Sequence, residues 1–70
     1  MAIDLCVRLG RRIRYLRSDR RITQIMLADM IGLGRANLSR IENGRVSTDI
    51  RTLAAISKAL GVPLKDLLDL

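Results

Sequence analysis

The sequence predicts a single small all-α domain spanning residues 1–70, and three observations predict this fold class. Hydrophobic residues make up 49% of the 70 residues, which is too many for a disordered segment. Tyr15 is the only aromatic residue, so the core must consist of Leu, Ile, Val, Ala and Met, a composition that favours helices over a β-sandwich. Apolar residues also recur every three or four positions, which is the period of an amphipathic helix.

The first two helices are predicted from this spacing and from their end signals. The apolar face of the first helix consists of Leu5, Leu9, Ile13 and Leu16, and the helix is expected to fade near residues 18–21. Gly10 inside it costs about 1 kcal/mol relative to Ala, and we expect a packing reason for it. Thr23 is predicted to cap a second helix that starts at Gln24. Gly32 is predicted to end that helix in the left-handed conformation.

Three more helices are predicted in the remaining chain. The third runs from Arg35 to Gly44, and residues 46–49 form a connector in which Ser47 or Asp49 caps the next helix. The buried side of the fourth helix is predicted to consist of Ile50, Leu53, Ala54, Ile56 and Leu60, with Gly61 at its end. Pro63 is predicted to open a last short helix through Leu64, Leu67 and Leu68.

Residues 23–44 have the spacing of a helix-turn-helix, because two helices are joined by a short turn that contains Gly. Ala28 is small enough for the close crossing of the two helices, and Leu38 and Ile41 anchor the second helix by a narrow apolar edge. The side chains left to face outward are Arg35, Ala36, Asn37, Ser39 and Arg40. Arg pairs with guanine and Asn with adenine through two hydrogen bonds each, so this face is suited to reading bases.

The stretch TQIMLADMIGLGRANLSRIENG resembles the helix-turn-helix of the Cro/repressor-type (XRE-type) DNA-binding family. Gln24, Ala28, Gly32, Leu38 and Ile41 match that pattern, as does the terminal IENG, and the resemblance covers about residues 9–68. It implies a compact five-helix, lambda-repressor-like domain that binds double-stranded DNA and regulates transcription. Within the family, restriction–modification controllers, phage repressors and antitoxins all remain open, with the controller favoured because no extra domain is visible.

The resemblance also implies roles for individual residues. It implies a partly buried ion pair between Arg17 and Glu42. The outward residues of the third helix would face the major groove, although Asn37 is equally suited to reading a base or holding a phosphate. Together with the basic segment described below, it predicts phosphate contacts by Arg11, Arg17, Thr23, Gln24, Asn43 and Arg45.

The positive charge is concentrated in one part of the chain. The formal net charge is +6, and seven arginines lie between residues 8 and 21 with Asp19 as the only acid there. From Thr52 onward, Lys58 and Lys65 balance Asp66 and Asp69. A run of charges is ordinarily a solvated helix face, but this excess favours a polyanionic partner.

Composition excludes several other functions. The chain has no His and a single Cys, so an intrachain disulfide and a cysteine metal site are excluded, and no nucleophile–base pair is visible. We therefore expect no enzymatic activity, no metal, no cofactor and no small-molecule ligand. No signal peptide or membrane-spanning run is seen, so a cytoplasmic, nucleoid-associated protein is expected.

The neutral C-terminal part, about residues 50–70, is predicted to supply both core and dimer contact. The expected dimer residues are Leu60, Leu64, Leu67, Leu68 and Leu70. A homodimer would place two recognition helices about 34–36 Å apart on a pseudo-palindromic operator. Two alternatives stay open: the same fold as an adaptor or antitoxin that binds a partner protein, and a basic amphipathic helix that lies on an anionic membrane.

Overall fold

The computed structural model describes residues 4–70, and these residues form five α-helices and no β-strand. The helices are α1 (Leu5–Asp19), α2 (Gln24–Ile31), α3 (Arg35–Glu42), α4 (Ile50–Leu60) and α5 (Leu64–Leu67). α1 packs against α3 and α5, α2 packs against α3 and α4, and α4 also packs against α5. The all-α, five-helix prediction is therefore confirmed.

The helix ends follow local chemistry that the sequence displays. The hydroxyl of Thr23 accepts a hydrogen bond from the Met26 backbone N–H at 3.1 Å, as predicted. Of the two candidate caps for α4, Asp49 is the one used, because its carboxylate accepts from the Thr52 N–H at 2.8 Å. Gly32 ends α2 with a φ of 67°, in the left-handed region that glycine adopts without steric cost.

The third helix ends at Glu42, two residues before the predicted end at Gly44. Gly44 has a φ of 70°, and its N–H donates to the Ile41 carbonyl while the Arg45 N–H donates to the Arg40 carbonyl. This pair of bonds is the Schellman motif, in which the glycine lies just beyond the helix and satisfies its last carbonyls. Gly44 was thus correctly identified as a stop signal, but it lies outside the helix.

One apolar core connects all five helices. Leu38 and Ile41 of α3 are buried, which confirms their predicted anchoring role. The buried apolar side chains are Ile13, Leu16, Leu27, Ala28, Leu38, Ile41, Leu53, Ile56, Leu60, Val62 and Leu67. All five helices and the loop between α4 and α5 contribute to this set, so the position of α3 depends on the whole core.

Three predicted core residues are exposed instead. Leu5 is 63% exposed and Ile50 is 59% exposed, and Ala54 is also exposed. Each residue lies at or near one edge of the apolar stripe of its helix. The helical period of 3.6 residues identifies the stripe but does not determine which of its edges is buried by neighbouring helices. In α4 the covered edge includes Ser57, whose hydroxyl donates to the Ala54 carbonyl at 2.8 Å and is thereby satisfied in a buried position.

Candidate nucleic-acid interface

The outer surface of α3 carries most of the predicted base-reading residues. Leu38, Ile41 and Glu42 face inward and are buried. The exposed side chains of α3 are Arg35, Ala36, Asn37 and Arg40, and Ser39 is half-buried. This side of α3 therefore presents two guanidinium groups and one carboxamide to solvent. The opposite side of the helix is held by apolar contacts with the core.

The turn before α3 is held by backbone chemistry. The Leu33 N–H donates to the Ala28 carbonyl at 3.0 Å, which closes α2 around Gly32. Gly34 caps α3 and has no side chain with which to bond the first turn. The α3 N-terminus therefore keeps its free backbone N–H groups, which are suited to hydrogen-bonding an anion.

A buried ionic cluster lies beneath the C-terminal end of α3. Glu42 is 2% exposed and accepts two hydrogen bonds from Arg17, at 2.7 Å from Nε and 2.9 Å from Nη2. The Nε2 of Gln24 donates to the same carboxylate at 3.0 Å. The predicted Arg17–Glu42 pair is therefore present, and it ties α1, α2 and α3 together.

The cluster keeps Glu42 ionised. Burial alone raises the pKa of a carboxyl group. In Glu42 this effect is outweighed by hydrogen bonds from Arg17 and Gln24 and by the charges of Arg17 and Arg14, so its pKa lies below the ordinary value of 4.5. Because both carboxylate oxygens accept hydrogen bonds from the protein, the buried charge is compensated.

Gly10 brings α1 close to this cluster. A Cβ atom at residue 10 would lie 2.5 Å from the carbonyl oxygen of Ile41 and closer still to that of Glu42. Such distances are far inside van der Waals contact, and the neighbouring atoms are backbone. The packing reason expected for this glycine is therefore the approach of α1 to the end of α3.

Arg14 is a member of the site that the sequence interpretation missed. Its Nη2 donates to Oδ1 of Asn43 at 2.8 Å, and its Nε lies 3.5 Å from the Glu42 carboxylate. The side chain is 49% exposed, so it also faces solvent beside α3. The sequence spacing could have identified Arg14. Gly10, Arg14 and Arg17 are four and three residues apart, which places them on one stripe of α1.

The predicted phosphate contacts divide into two groups. Arg45 and Asn43 are exposed at the end of α3, and the Gln24 amide lies at the start of α2 while bonded to Glu42. Arg17 differs, because its side chain is 13% exposed and its Nη1 also donates to the Ile22 carbonyl at 2.9 Å. All three nitrogens of its guanidinium donate within the protein, two of them to Glu42, and its phosphate contact stays a prediction.

Arg11 lies in a different part of α1 from the α3-facing stripe. It lines a shallow cavity with Arg8, Arg12, Asp69 and Leu70. This places Arg11 near α5 rather than beside the exposed residues of α3. The structure groups Arg11 with Arg8 and Arg12, and its phosphate contact stays a prediction.

The expected dimer residues also divide. Leu60 and Leu67 are buried in the protomer's own core, at 3% and 0% exposure, so they have no surface to offer a partner and that part of the prediction is wrong. Leu68 is 46% exposed, and Leu64 and Leu70 are half-buried. A groove of about 230 Å³ is lined by Leu5, Cys6, Leu9, Ser47, Thr48, Leu53, Leu68 and Leu70.

The described part of the chain contains neither a metal-binding cluster nor a membrane-spanning helix. No three His, Cys, Asp or Glu side chains among residues 4–70 are grouped so that they could hold a metal ion. Within the same residues, no helix has the length and apolar character needed to cross a membrane.

Comparisons with known proteins agree with this geometry. The HTH_3 helix-turn-helix family model matches residues 13–67. The chain is 39% identical over 54 residues to the immunity repressor protein of Bacillus phage phi105, an alignment that covers 77% of this chain but 38% of the repressor. It is 37% identical over 70 residues to control protein C.BamHI of Bacillus amyloliquefaciens, covering 99% of this chain and 86% of that protein.

A solved structure has the same fold. The restriction-modification controller protein C.AhdI from Aeromonas hydrophila superposes with a TM-score of 0.86 at 27% sequence identity. The superposition covers 89% of this chain and 94% of that one.

Proposed function

Because this chain belongs to the HTH_3 helix-turn-helix family of DNA-binding transcriptional regulators, we propose that it binds a pseudo-palindromic operator as a homodimer and thereby controls a neighbouring promoter. The observation that carries the proposal is the exposed polar face of α3 above a buried ionic cluster. The cluster fixes the position of α3, and fixed side chains read bases with the most discrimination.

The reading residues have distinct roles in this proposal. Arg35 and Arg40 each bond O6 and N7 of a guanine, and Asn37 bonds an adenine edge or a phosphate. The methyl group of Ala36 contacts a thymine methyl. Ser39 is half-buried and supports its neighbours, because its hydroxyl accepts from Nδ2 of Asn43 at 3.4 Å.

The phosphate contacts surround α3. Arg14, Asn43 and Arg45 lie at its C-terminal end, and Thr23 and Gln24 lie at the N-terminus of α2, where backbone N–H groups and the helix dipole favour an anion. We assign Arg17 an indirect part: it positions Gln24 and α3 through Glu42.

The dimer contact is proposed to form around Leu68. A single domain buries too little DNA surface for high specificity, whereas a dimer reads two half-sites about 34–36 Å apart. Leu68 is 46% exposed and lines the groove shared with Leu5, Leu9 and Leu70. A second copy seated there would cover this apolar surface and leave α3 free.

Among the family's regulators, a restriction–modification controller fits this chain best. The alignment with control protein C.BamHI covers 86% of that protein, whereas the alignment with the phage repressor covers 38%. The chain therefore matches a control protein along most of its length, and the repressor along one part.

The direct test is selection from a random duplex DNA library by the purified protein, followed by sequencing. We expect an inverted repeat with half-sites about one helical turn apart. A matched library selected by the Arg35→Ala/Arg40→Ala variant should lose that enrichment. A folded wild-type protein that enriches no sequence would contradict the proposal and favour the adaptor or antitoxin alternative, in which the partner is a protein.

A further inference from the structure

A second basic surface lies on the side of α1 that faces away from α3. Each residue of an α-helix is rotated by about 100° from the one before it. Since Gly10 contacts the end of α3, Arg11, Tyr15, Arg8 and Arg12 lie about 100°, 140°, 160° and 200° around α1 from that contact. We call these four residues the outer arginine face.

The charge of the outer arginine face is only partly compensated within the described protein. Among residues 4–70, ion pairs within 4.0 Å involve Arg14, Arg17 and Arg20, and none involves Arg8, Arg11 or Arg12. These three line a cavity of about 350 Å³ with Asp69 and Leu70, and Asp69 is the one acid in that lining. The arrangement leaves a net excess of positive charge at a concave surface.

Two contacts orient the face. Nε of Arg12 donates to the Asp66 carbonyl at 2.8 Å, and the Arg12 guanidinium lies 5.8 Å from the centre of the Tyr15 ring. Arg12 is therefore held between α5 and Tyr15. Arg8 and Arg11 are exposed beside it.

The chemistry of the face fits a phosphate backbone. Guanidinium groups bond phosphate oxygens in a forked geometry. Arg8, Arg11 and Arg12 span about 6 Å of helix axis, and phosphates follow one another about every 3.4 Å of duplex axis on each strand, so two successive phosphates lie within reach. A helix lying on a lipid surface needs several large apolar side chains, whereas Tyr15 is the one large hydrophobic side chain among the four residues of this face.

We propose that the outer arginine face binds the backbone of a second stretch of duplex DNA while α3 reads the operator. The inference rests on the proposed function, since it concerns protein that already occupies its operator. It differs in the surface used, because the outer arginine face and the exposed side of α3 lie on separate parts of the molecule. One dimer would then hold two DNA segments together.

The test is a capture experiment with two duplexes. A short operator duplex is tethered to beads and saturated with the full chain, and a labelled duplex that lacks the operator is then added. Wild-type protein should retain the labelled duplex, with retention that weakens steeply as salt rises. The amount of protein bound to the same beads is measured separately and reports operator occupancy independently of capture of the labelled duplex.

Two charge-reversal variants make the test specific. Arg8→Glu alters the outer arginine face, and because residue 8 lies near the start of α1, a Glu there is compatible with the helix dipole. Lys58→Glu makes the same change in net charge at an exposed position on α4. We expect Arg8→Glu to reduce capture of the second duplex by about tenfold and its logarithmic salt slope by about one, and Lys58→Glu to leave capture within about twofold of wild type.

The outcomes separate this inference from the proposed function. Normal operator occupancy without capture by wild-type protein would overturn the inference alone, as would equal losses in both variants. Failure of the wild-type protein to occupy the operator would instead overturn the proposed function. Circular dichroism of each variant confirms that the comparison is between folded proteins.

Discussion

At the scale of single residues, the position of α3 depends on groups that are unremarkable in the sequence. Gly10 has no side chain, yet the absence of one allows α1 to approach the last carbonyls of α3. Glu42 is one of seven acids, yet it is the buried one that joins three helices through Arg17 and Gln24. Under the proposed function, both residues would affect DNA reading without facing DNA.

Gly10→Ala should destabilise the fold, although Ala is the better helix former. Intrinsic propensity favours Ala by about 1 kcal/mol, but the new methyl group would meet the backbone carbonyls of Ile41 and Glu42. Overpacking of this kind costs about 1–3 kcal/mol, and here helices must move apart. Urea unfolding measures the effect, with Ser18→Ala on the exposed side of α1 as the control. A variant as stable as wild type would mean that α1 does not pack this closely.

The stability of the protein should decrease in acid because of Glu42. Its pKa is lower in the folded chain than its ordinary value of 4.5, so the folded state binds fewer protons than the unfolded state. The resulting stabilisation is complete above that value and is lost as the pH falls through the folded pKa. Urea midpoints between pH 7 and pH 3 should show this decline.

Glu42→Gln separates the buried cluster from other carboxyl groups. This variant should be less stable than wild type at pH 7, because Arg17 loses its ionised partner, and its midpoint should change less between pH 5 and pH 3. Asp49→Asn is the matched control, since hydrogen bonds from Thr52 lower the pKa of Asp49 as well but at an exposed position. Identical acid profiles for wild type and Glu42→Gln would exclude a role for Glu42.

At the scale of elements, the reading helix and its phosphate-contacting ends should respond differently to mutation. Arg35→Ala removes a proposed base contact, so it should relax preference at one position of each half-site by about 1–3 kcal/mol. Arg45→Ala should weaken binding to all duplexes alike and lower the salt slope by about one. Affinities for the selected operator and its single-base variants, measured at several salt concentrations, distinguish the two.

The elements also show what the sequence could predict. The helix caps are formed by local interactions at Thr23, Gly32 and Asp49. Each involves the residue's own backbone or a residue two or three positions away, so the caps could be predicted from the local sequence. The sequence could not predict which edge of the apolar stripe of α4 is buried. The burial of Ser57 and the exposure of Ala54 depend on where α2 and α5 lie. The Arg17–Glu42 pair came from the resemblance, and Arg14 was missed because its partners are distant in sequence.

At the scale of the whole molecule, the surfaces proposed for DNA and for a second copy use different parts of the chain. The exposed part of α3 lies next to α1 and α2, whereas Leu68 lies at the end of α5. The sequence predicts both surfaces, and both stay predictions. It included Leu60 and Leu67 in the dimer surface because helical spacing does not separate leucines of the protomer core from leucines at its edge.

Leu68→Glu should separate the dimer without unfolding the protomer. The side chain is 46% exposed, so a carboxylate there remains hydrated in the monomer and would be desolvated in the dimer. Sedimentation should show a shift to monomer, and operator affinity should decrease while the helical signal is retained. Met30→Glu is the control, because Met30 is similarly exposed, at 55%, on α2. A Leu68→Glu dimer as tight as wild type would place the contact elsewhere.

The exposed side of α3 has one more consequence, which concerns how such proteins diverge. Arg35, Asn37 and Arg40 are all exposed, and none of them belongs to the buried core or the ionic cluster. Under the proposed function, substitutions at these positions would change the recognised base pairs while the fold is preserved. Two descendants of one gene could acquire separate operators through a few such replacements, and each would keep the same helices, cluster and partner surface.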